Sequence, residues 1–272
     1  MSMTREEAER ALGAQGRKPE GEFSLFEAAL LCAVHDDPAR DGASARAVME
    51  EATDRLAGRL KRQPSDEALA DALCGDLDFA GDVMTYDDLA NADLISVCAR
   101  RKGLPVALGV LFLTAGKANG LDVSGADFPA HFLLRLESNE GPLALDPFAG
   151  GRVVLPSELV RRALHAGLPP RAADDLEALM TPVSDRRVLT RLQNNVYARA
   201  FHNGDFGRAE RAAIRRALLC PEDHHPWIDV AAAREAQGSL NGALEAMARV
   251  AELGGESGPA AMARERLRRR LN

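Results

Sequence analysis

Arg101–Gly151 reads RKGLPVALGVLFLTAGKANGLDVSGADFPAHFLLRLESNEGPLALDPFAGG, and this stretch decides the fold. A short basic loop ends at Gly103. Pro105 suits a first helical turn, where its missing N–H costs nothing. The run after it predicts a helix to about Asn119. Val106, Leu108, Val110, Leu111, Phe112, Leu113, Ala115 and Ala118 make that helix apolar nearly all round, so it belongs at the centre of a domain. Gly120 stops it. Ala130–Leu136 then alternates as a strand carrying His131. Ser138–Gly141 supplies a hairpin turn, and Pro142–Phe148 returns as a strand carrying Asp146. Arg152–Leu155 predicts one further strand.

Working outward toward the N-terminus, residues 1 to about 21 read as a charged leader without an apolar stretch of signal-peptide type. Phe23, Phe26, Leu30, Leu31 and Val34 recur at helical spacing, with Ser24 and Glu27 placed as a capping box. Asp36–Asp37–Pro38 ends that helix. Further helices are expected over about Ser44–Lys61 and from Ser65, and a short one over Asp93–Arg101. Phe79–Asn91, rich in Gly and Asp, predicts an irregular loop.

The chain has 272 residues, 46% hydrophobic and 28% charged, which is the composition of a globular protein able to bury a sizeable core. Aromatic residues are only 4%, so Ala and Leu must fill that core, and this favours closely packed helices. A net charge of −7 argues against a nucleic-acid partner. No apolar run is long enough for a transmembrane helix. The expectation is a cytoplasmic protein with no membrane partner. Its four cysteines, Cys32, Cys74, Cys98 and Cys220, form no CxxC pair and are expected to be reduced. No metal and no cofactor are expected. His224–His225 is the one close histidine pair, and neighbours on one element are expected to point apart.

Beyond Arg186 the pattern turns to helix pairs. Asn203–Gly204–Asp205–Phe206–Gly207–Arg208–Ala209 and Gln237–Gly238–Ser239–Leu240–Asn241–Gly242–Ala243 repeat a turn at a spacing of 34 residues, the period of tetratricopeptide repeats. Ala209 and Ala243 are then packing positions where two helices cross. The arginines of the final helix, Arg264, Arg266, Arg268, Arg269 and Arg270, read as a solvated face.

These residues together resemble bacterial SirB-type proteins, in which a transglutaminase-like domain precedes tetratricopeptide repeats. The resemblance rests on Arg100–Pro105, the apolar helix ending at Gly120–Leu121, Phe128–Arg135 and Leu145–Gly151, and it covers roughly Glu22 to the C-terminus. The family usually has Gly where Ala130 stands. The resemblance implies a helix-rich α+β fold: a papain/transglutaminase-like core, with a central helix against a small antiparallel sheet, followed by a C-terminal α-helical repeat unit. The expected division is a leader over 1–21, a transglutaminase-like domain over 22–183 and a repeat domain over 186–272.

Active transglutaminase-like enzymes place a cysteine at the start of the central helix, where the helix dipole and a histidine keep it ionised. Here Pro105 holds that position, and none of Leu104 to Gly109 is a nucleophile. His131 and Asp146 remain as a triad remnant. They read either as a base with its orienter or as a hydrogen bond tying two strands together. Cys98 reads as a displaced nucleophile or, more simply, as a small apolar residue of a buried helix face. Two functions follow. One is a non-catalytic interaction or regulatory protein that binds another protein or peptide through its groove and repeats. The other is a hydrolase or amidase using His131 and Asp146 with water, or Cys98.

Overall fold

The structure, a computed structural model, describes residues 3–126, 128–255 and 258–271. Contacts divide the chain into two compact units: residues 1–41 with 190–272, and residues 42–189. This division differs from the expected one, which kept residues 22–41 with the central domain. The expected leader is instead a helix, α1 (Arg5–Gly16), opened by a capping box between Thr4 and Glu7. Ala8 and Leu12 on it are fully buried. The second helix, α2 (Leu25–Asp36), begins after Ser24 but without a side-chain cap bond from it.

In the central unit, α3 (Ala43–Arg59) and α4 (Ser65–Ala70) lead through a wide turn at Asp71–Gly75 to β1 (Ala80–Gly81). Then come α5 (Leu94–Arg100), β2 (Lys102–Gly103) and the apolar α6 (Pro105–Ala118), which starts and stops where Pro105 and Gly120 place it. Four strands follow: β3 (Val123–Ala126), β4 (Leu133–Ser138), β5 (Gly141–Asp146) and β6 (Arg152–Val154). The helices α7 (Pro156–His165), α8 (Pro170–Ala173) and α9 (Leu176–Leu179) precede β7 (Pro182–Val183).

The main sheet is antiparallel with strand order β6-β5-β4-β3-β7, while β1 and β2 form a separate parallel pair. Alternation along each strand sends residues to two faces. Ala126, Leu133, Ala144 and Val154 pack with Leu159 and Ala163 of α7. Val123 and Gly125 face the other way. A Cβ on Gly116 of α6 would lie 2.7 Å from Val123. The Phe132 ring fills the space left by two glycines, since a Cβ on Gly109 of α6 would come within 2.2 Å of it and one on Gly125 within 3.3 Å. The missing side chains are what bring the helix this close to the sheet.

The helical unit is completed by the part of α10 (Asp185–His202) from Thr190 onward, α11 (Phe206–Leu219), α12 (His225–Ala236), α13 (Leu240–Glu252) and α14 (Gly258–Leu271). Consecutive helices from α11 to α14 pack on one another, and α11 also packs on α1 and α2. Ala213, Ala231, Ala243, Ala246, Val230 and Val250 form a core of small side chains, as the scarcity of aromatics requires. Both Ala209 and Ala243 are fully buried. A polar cross-link lies within this unit. His35, fully buried, bonds Glu9 through Nε2 at 2.9 Å and Arg215 through Nδ1 at 3.4 Å. An arginine can only donate, so His35 is neutral at Nδ1 and carries its proton on Nε2. Arg215 is also buried, and its Nε donates to Gln193 Oε1 at 2.7 Å. No described helix is long and apolar enough to cross a membrane.

Candidate functional site

The start of α6 is tied to the segment before it by backbone bonds. Ala80 N–H donates to Arg101 C=O at 2.9 Å, Asp82 N–H to Gly103 C=O at 3.3 Å, and Leu104 N–H to Asn91 C=O at 2.9 Å. Residues 80–93 therefore run alongside the N-terminus of α6, largely irregular as their composition suggests but fastened to it by these bonds. Arg101 ends α5 in the left-handed region, with φ 59°, and its guanidinium lies over the Phe79 ring at 4.9 Å.

A buried polar cluster holds this segment in shape. Asn91 is fully buried. Its amide donates to Thr85 C=O at 2.6 Å, and its oxygen accepts from Arg100 at 3.1 Å. Asp82, nearly buried, accepts from the Thr85 hydroxyl at 2.6 Å and from Arg100 at 2.9 Å. The Thr85 hydroxyl and N–H, with help from Asn91 and Arg100, lower the Asp82 carboxyl to about 2. Of these residues, the sequence singles out Arg100, at the head of the Arg100–Pro105 stretch that carries the resemblance. No role was read for Asp82, Thr85 or Asn91, and the density of polar residues in a Gly-rich stretch beside an apolar helix was the available signal.

His131 does not lie on a strand. It is exposed, in a bend before β4, and its N–H donates to Phe128 C=O at 3.1 Å to close a four-residue turn. Pro129 and Ala130 are the two middle residues, and Ala130 has φ 57°. Glycine fills such a position without steric cost, which explains the family preference there. The His131 and Phe128 rings lie 6.3 Å apart.

Asp146 ends β5 and is buried. Its Oδ1 caps the turn Pro147–Ala149 by accepting from Phe148 N–H at 3.1 Å and Ala149 N–H at 3.2 Å. Its Oδ2 accepts from Arg162 on α7 at 2.9 Å. Among the described residues these are the partners of the carboxylate, and the expected bond to His131 is not one of them. Arg162 also donates to Glu158 at 2.7 Å, and Arg152 donates to Glu158 at 2.6 Å and 2.9 Å. Arg152 and then Arg162 hold the Glu158 carboxyl at about 2. Phe148 brings the two halves of the site together. Its ring lies so close to Gly81 that a Cβ there would meet it at 2.4 Å, and the Tyr86 ring meets it edge-on at 5.8 Å.

Pro105 is the first residue of α6, and Leu104 before it supplies no side-chain cap. Cys98 is buried on α5, and burial pushes its thiol up to about 12. A thiol in that state is protonated at neutral pH and a poor nucleophile. Cys74 is raised to about 12 for the same reason.

An apolar helix laid across an antiparallel sheet, with a histidine ahead of one strand and an aspartate ending the next, defines a domain of transglutaminase-like type. The profile described as the transglutaminase-like superfamily matches residues 43–194, and the chain belongs to that superfamily. It is similar to a UPF0162 protein of Xylella fastidiosa (strain Temecula1), with 33% identity over 179 residues that cover 65% of this chain and 63% of that protein. The chain thus spans less than two thirds of that relative. A UPF0162 protein of Vibrio cholerae is 47% identical over 73 residues, 26% of this chain and 27% of the relative. Human F-box only protein 21 is 33% identical over 82 residues, 30% of this chain and 13% of that protein. No solved structure matches.

Proposed function

We propose that this chain is a non-catalytic member of the transglutaminase-like superfamily, a protein-interaction or regulatory module. It would bind a protein or peptide through the surface around His131 and the Asp146 turn, and through C-terminal helices of tetratricopeptide type. The observation that carries this reading is Pro105 at the first position of α6, where a thiol would have to stand. Covalent catalysis has no replacement in Cys98, which is buried and protonated. Nor does the hydrolase reading gain support from Asp146, because its oxygens are engaged by Arg162 and two backbone N–H groups.

Two features support binding. Val83 and Met84 are 74% and 89% exposed, and Tyr86, half-exposed, lies against Phe148. This places apolar side chains in solvent next to the Asp146 turn, as a peptide-binding surface requires. The repeat reading is supported by Gly204 and Gly238, which take φ values of 77° and 80° at equivalent places before α11 and α13. Each of the helices so opened buries an alanine, Ala209 or Ala243.

The full chain should show no ester or amide hydrolysis that depends on His131, and partners captured from a bacterial lysate should be lost when Val83 and Met84 are both changed to Asp. Turnover abolished by His131→Ala would overturn the non-catalytic reading. Retention of every partner by the double variant would remove the binding surface from the proposal.

A further inference from the structure

We propose that Asp223, His224 and His225 form a binding site for a divalent transition metal of the zinc type. Each side chain offers one ligand atom, and the three atoms lie within 4.8 Å of one another. The two imidazoles do not point apart as adjacent residues were expected to. Their rings are stacked, with centroids 4.1 Å apart and planes 28° apart. Asp223 Oδ1 lies 2.7 Å from His225 Nδ1 and accepts the His225 backbone N–H at 2.9 Å.

The backbone fixes this arrangement. Asp223 N–H donates to Cys220 C=O at 3.0 Å, and Trp227 N–H donates to His224 C=O at 3.1 Å. The His224 ring rests on Gly255, which is buried, and a Cβ there would come within 2.3 Å of the ring. The side chains keep some freedom, since Asp223 and His224 are half-buried and His225 is exposed. Tetrahedral zinc, with bonds of about 2.0–2.2 Å, needs ligand atoms about 3.3 Å apart. The three atoms, within 4.8 Å of one another, have to draw in to that spacing when the ion binds.

Two imidazole nitrogens and one carboxylate oxygen suit Zn²⁺, Co²⁺, Ni²⁺ or Cu²⁺, whereas Ca²⁺ and Mg²⁺ favour oxygen alone. Asp223 only accepts, so neutral His225 carries its proton on Nδ1 in this bond. On binding, that proton leaves Nδ1 and the ring takes one up from solvent on Nε2, so the Nδ1 lone pair goes to the metal with no change of oxidation state. Three protein ligands leave a coordination position for water or for a group from a partner. The N-terminal dipole of α12 opposes a cation, and the Asp223 carboxylate at the same end offsets it. The site lies in the helical unit, so it stands whether or not the central unit is catalytic.

Calorimetric titration of the full chain with Zn²⁺ should show one ion bound per chain. His224→Ala and His225→Ala should each weaken binding at least about 10-fold. Gly255→Ala should weaken it too, by crowding the His224 ring while leaving every ligand in place. Imidazole NMR of the unaltered chain supplies a check free of folding effects, because Zn²⁺ should move the signals of two of the six histidines, His224 and His225. Absence of binding, equal affinity in the His224→Ala/His225→Ala chain, or movement confined to other histidines would overturn the assignment.

Discussion

The Arg162 guanidinium donates to Asp146 Oδ2 at 2.9 Å, and both side chains are close to buried, at 13% and 10% exposure. Their bond fastens α7 to the end of β5, the same strand end that caps the turn carrying Phe148. Asp146→Asn keeps the shape but removes the charge. It should lower stability by about 1.5–3 kcal/mol, the contribution of a buried hydrogen bond to a charged group. An unaltered urea midpoint would show that the pair contributes nothing.

Gly109 of α6 faces the Phe132 ring just ahead of β4. Alanine there gains about 1 kcal/mol of helix propensity. It also drives a methyl to within 2.2 Å of the Phe132 ring in a packed core, and overpacking costs about 1–3 kcal/mol. The steric term should win, so Gly109→Ala is expected to lower the thermal midpoint. A higher midpoint would mean that Phe132 has room to move.

Ala130→Gly should act in the opposite direction. A left-handed conformation costs an L residue about 1–2 kcal/mol, whereas glycine gives back about 0.5–1 kcal/mol in unfolded-chain entropy. The balance favours glycine by up to about 1.5 kcal/mol, readable as a higher denaturation midpoint. A clear loss of stability would contradict the strained turn.

The start of α6 was legible because Pro105 and Gly120 bracket an apolar run, and the hairpin because its turn residues interrupt two alternating segments. His131 was read as part of its strand, which begins two residues later at Leu133, since the left-handed Ala130 carries no mark that a helix or strand pattern can register. The helix α1 was missed because its buried face amounts to little more than Ala8 and Leu12 among charges. The surface they fit belongs to α2 and to α11, far along the chain. The pairing of Asp146 with Arg162 was out of reach for a similar reason, because it depends on where α7 lies against the sheet. The buried cluster around Asn91 likewise needs three separate parts of residues 82–100 to be brought together.

His35 predicts an acid limit on the helical unit. Burial, and secondly the Arg215 guanidinium, push its pKa down to about 4, although the Glu9 bond works the other way. In the unfolded chain it titrates near 6.5. Between these values the unfolded chain binds the proton and the folded one does not. The stabilisation is therefore complete above about 6.5 and is lost as pH falls toward 4, by roughly 3 kcal/mol in all. Urea unfolding above, within and below that window should show the decline, and His35→Gln should flatten it. A slope that persists in His35→Gln would assign the effect to other groups.

The union of residues 1–41 with 190–272 in one unit has a consequence for synthesis. The helices α1 and α2 leave the ribosome before α11, which packs on them and is made only after the whole of Gly42–Leu189. At about 5–20 residues per second, many seconds pass between the two events. The apolar surface of α2, with Leu25, Phe26, Ala29 and Leu30, is without its final cover for that time. A chaperone has its opportunity in that interval, and a nascent chain stalled before α11 would present α2 as its sticky end.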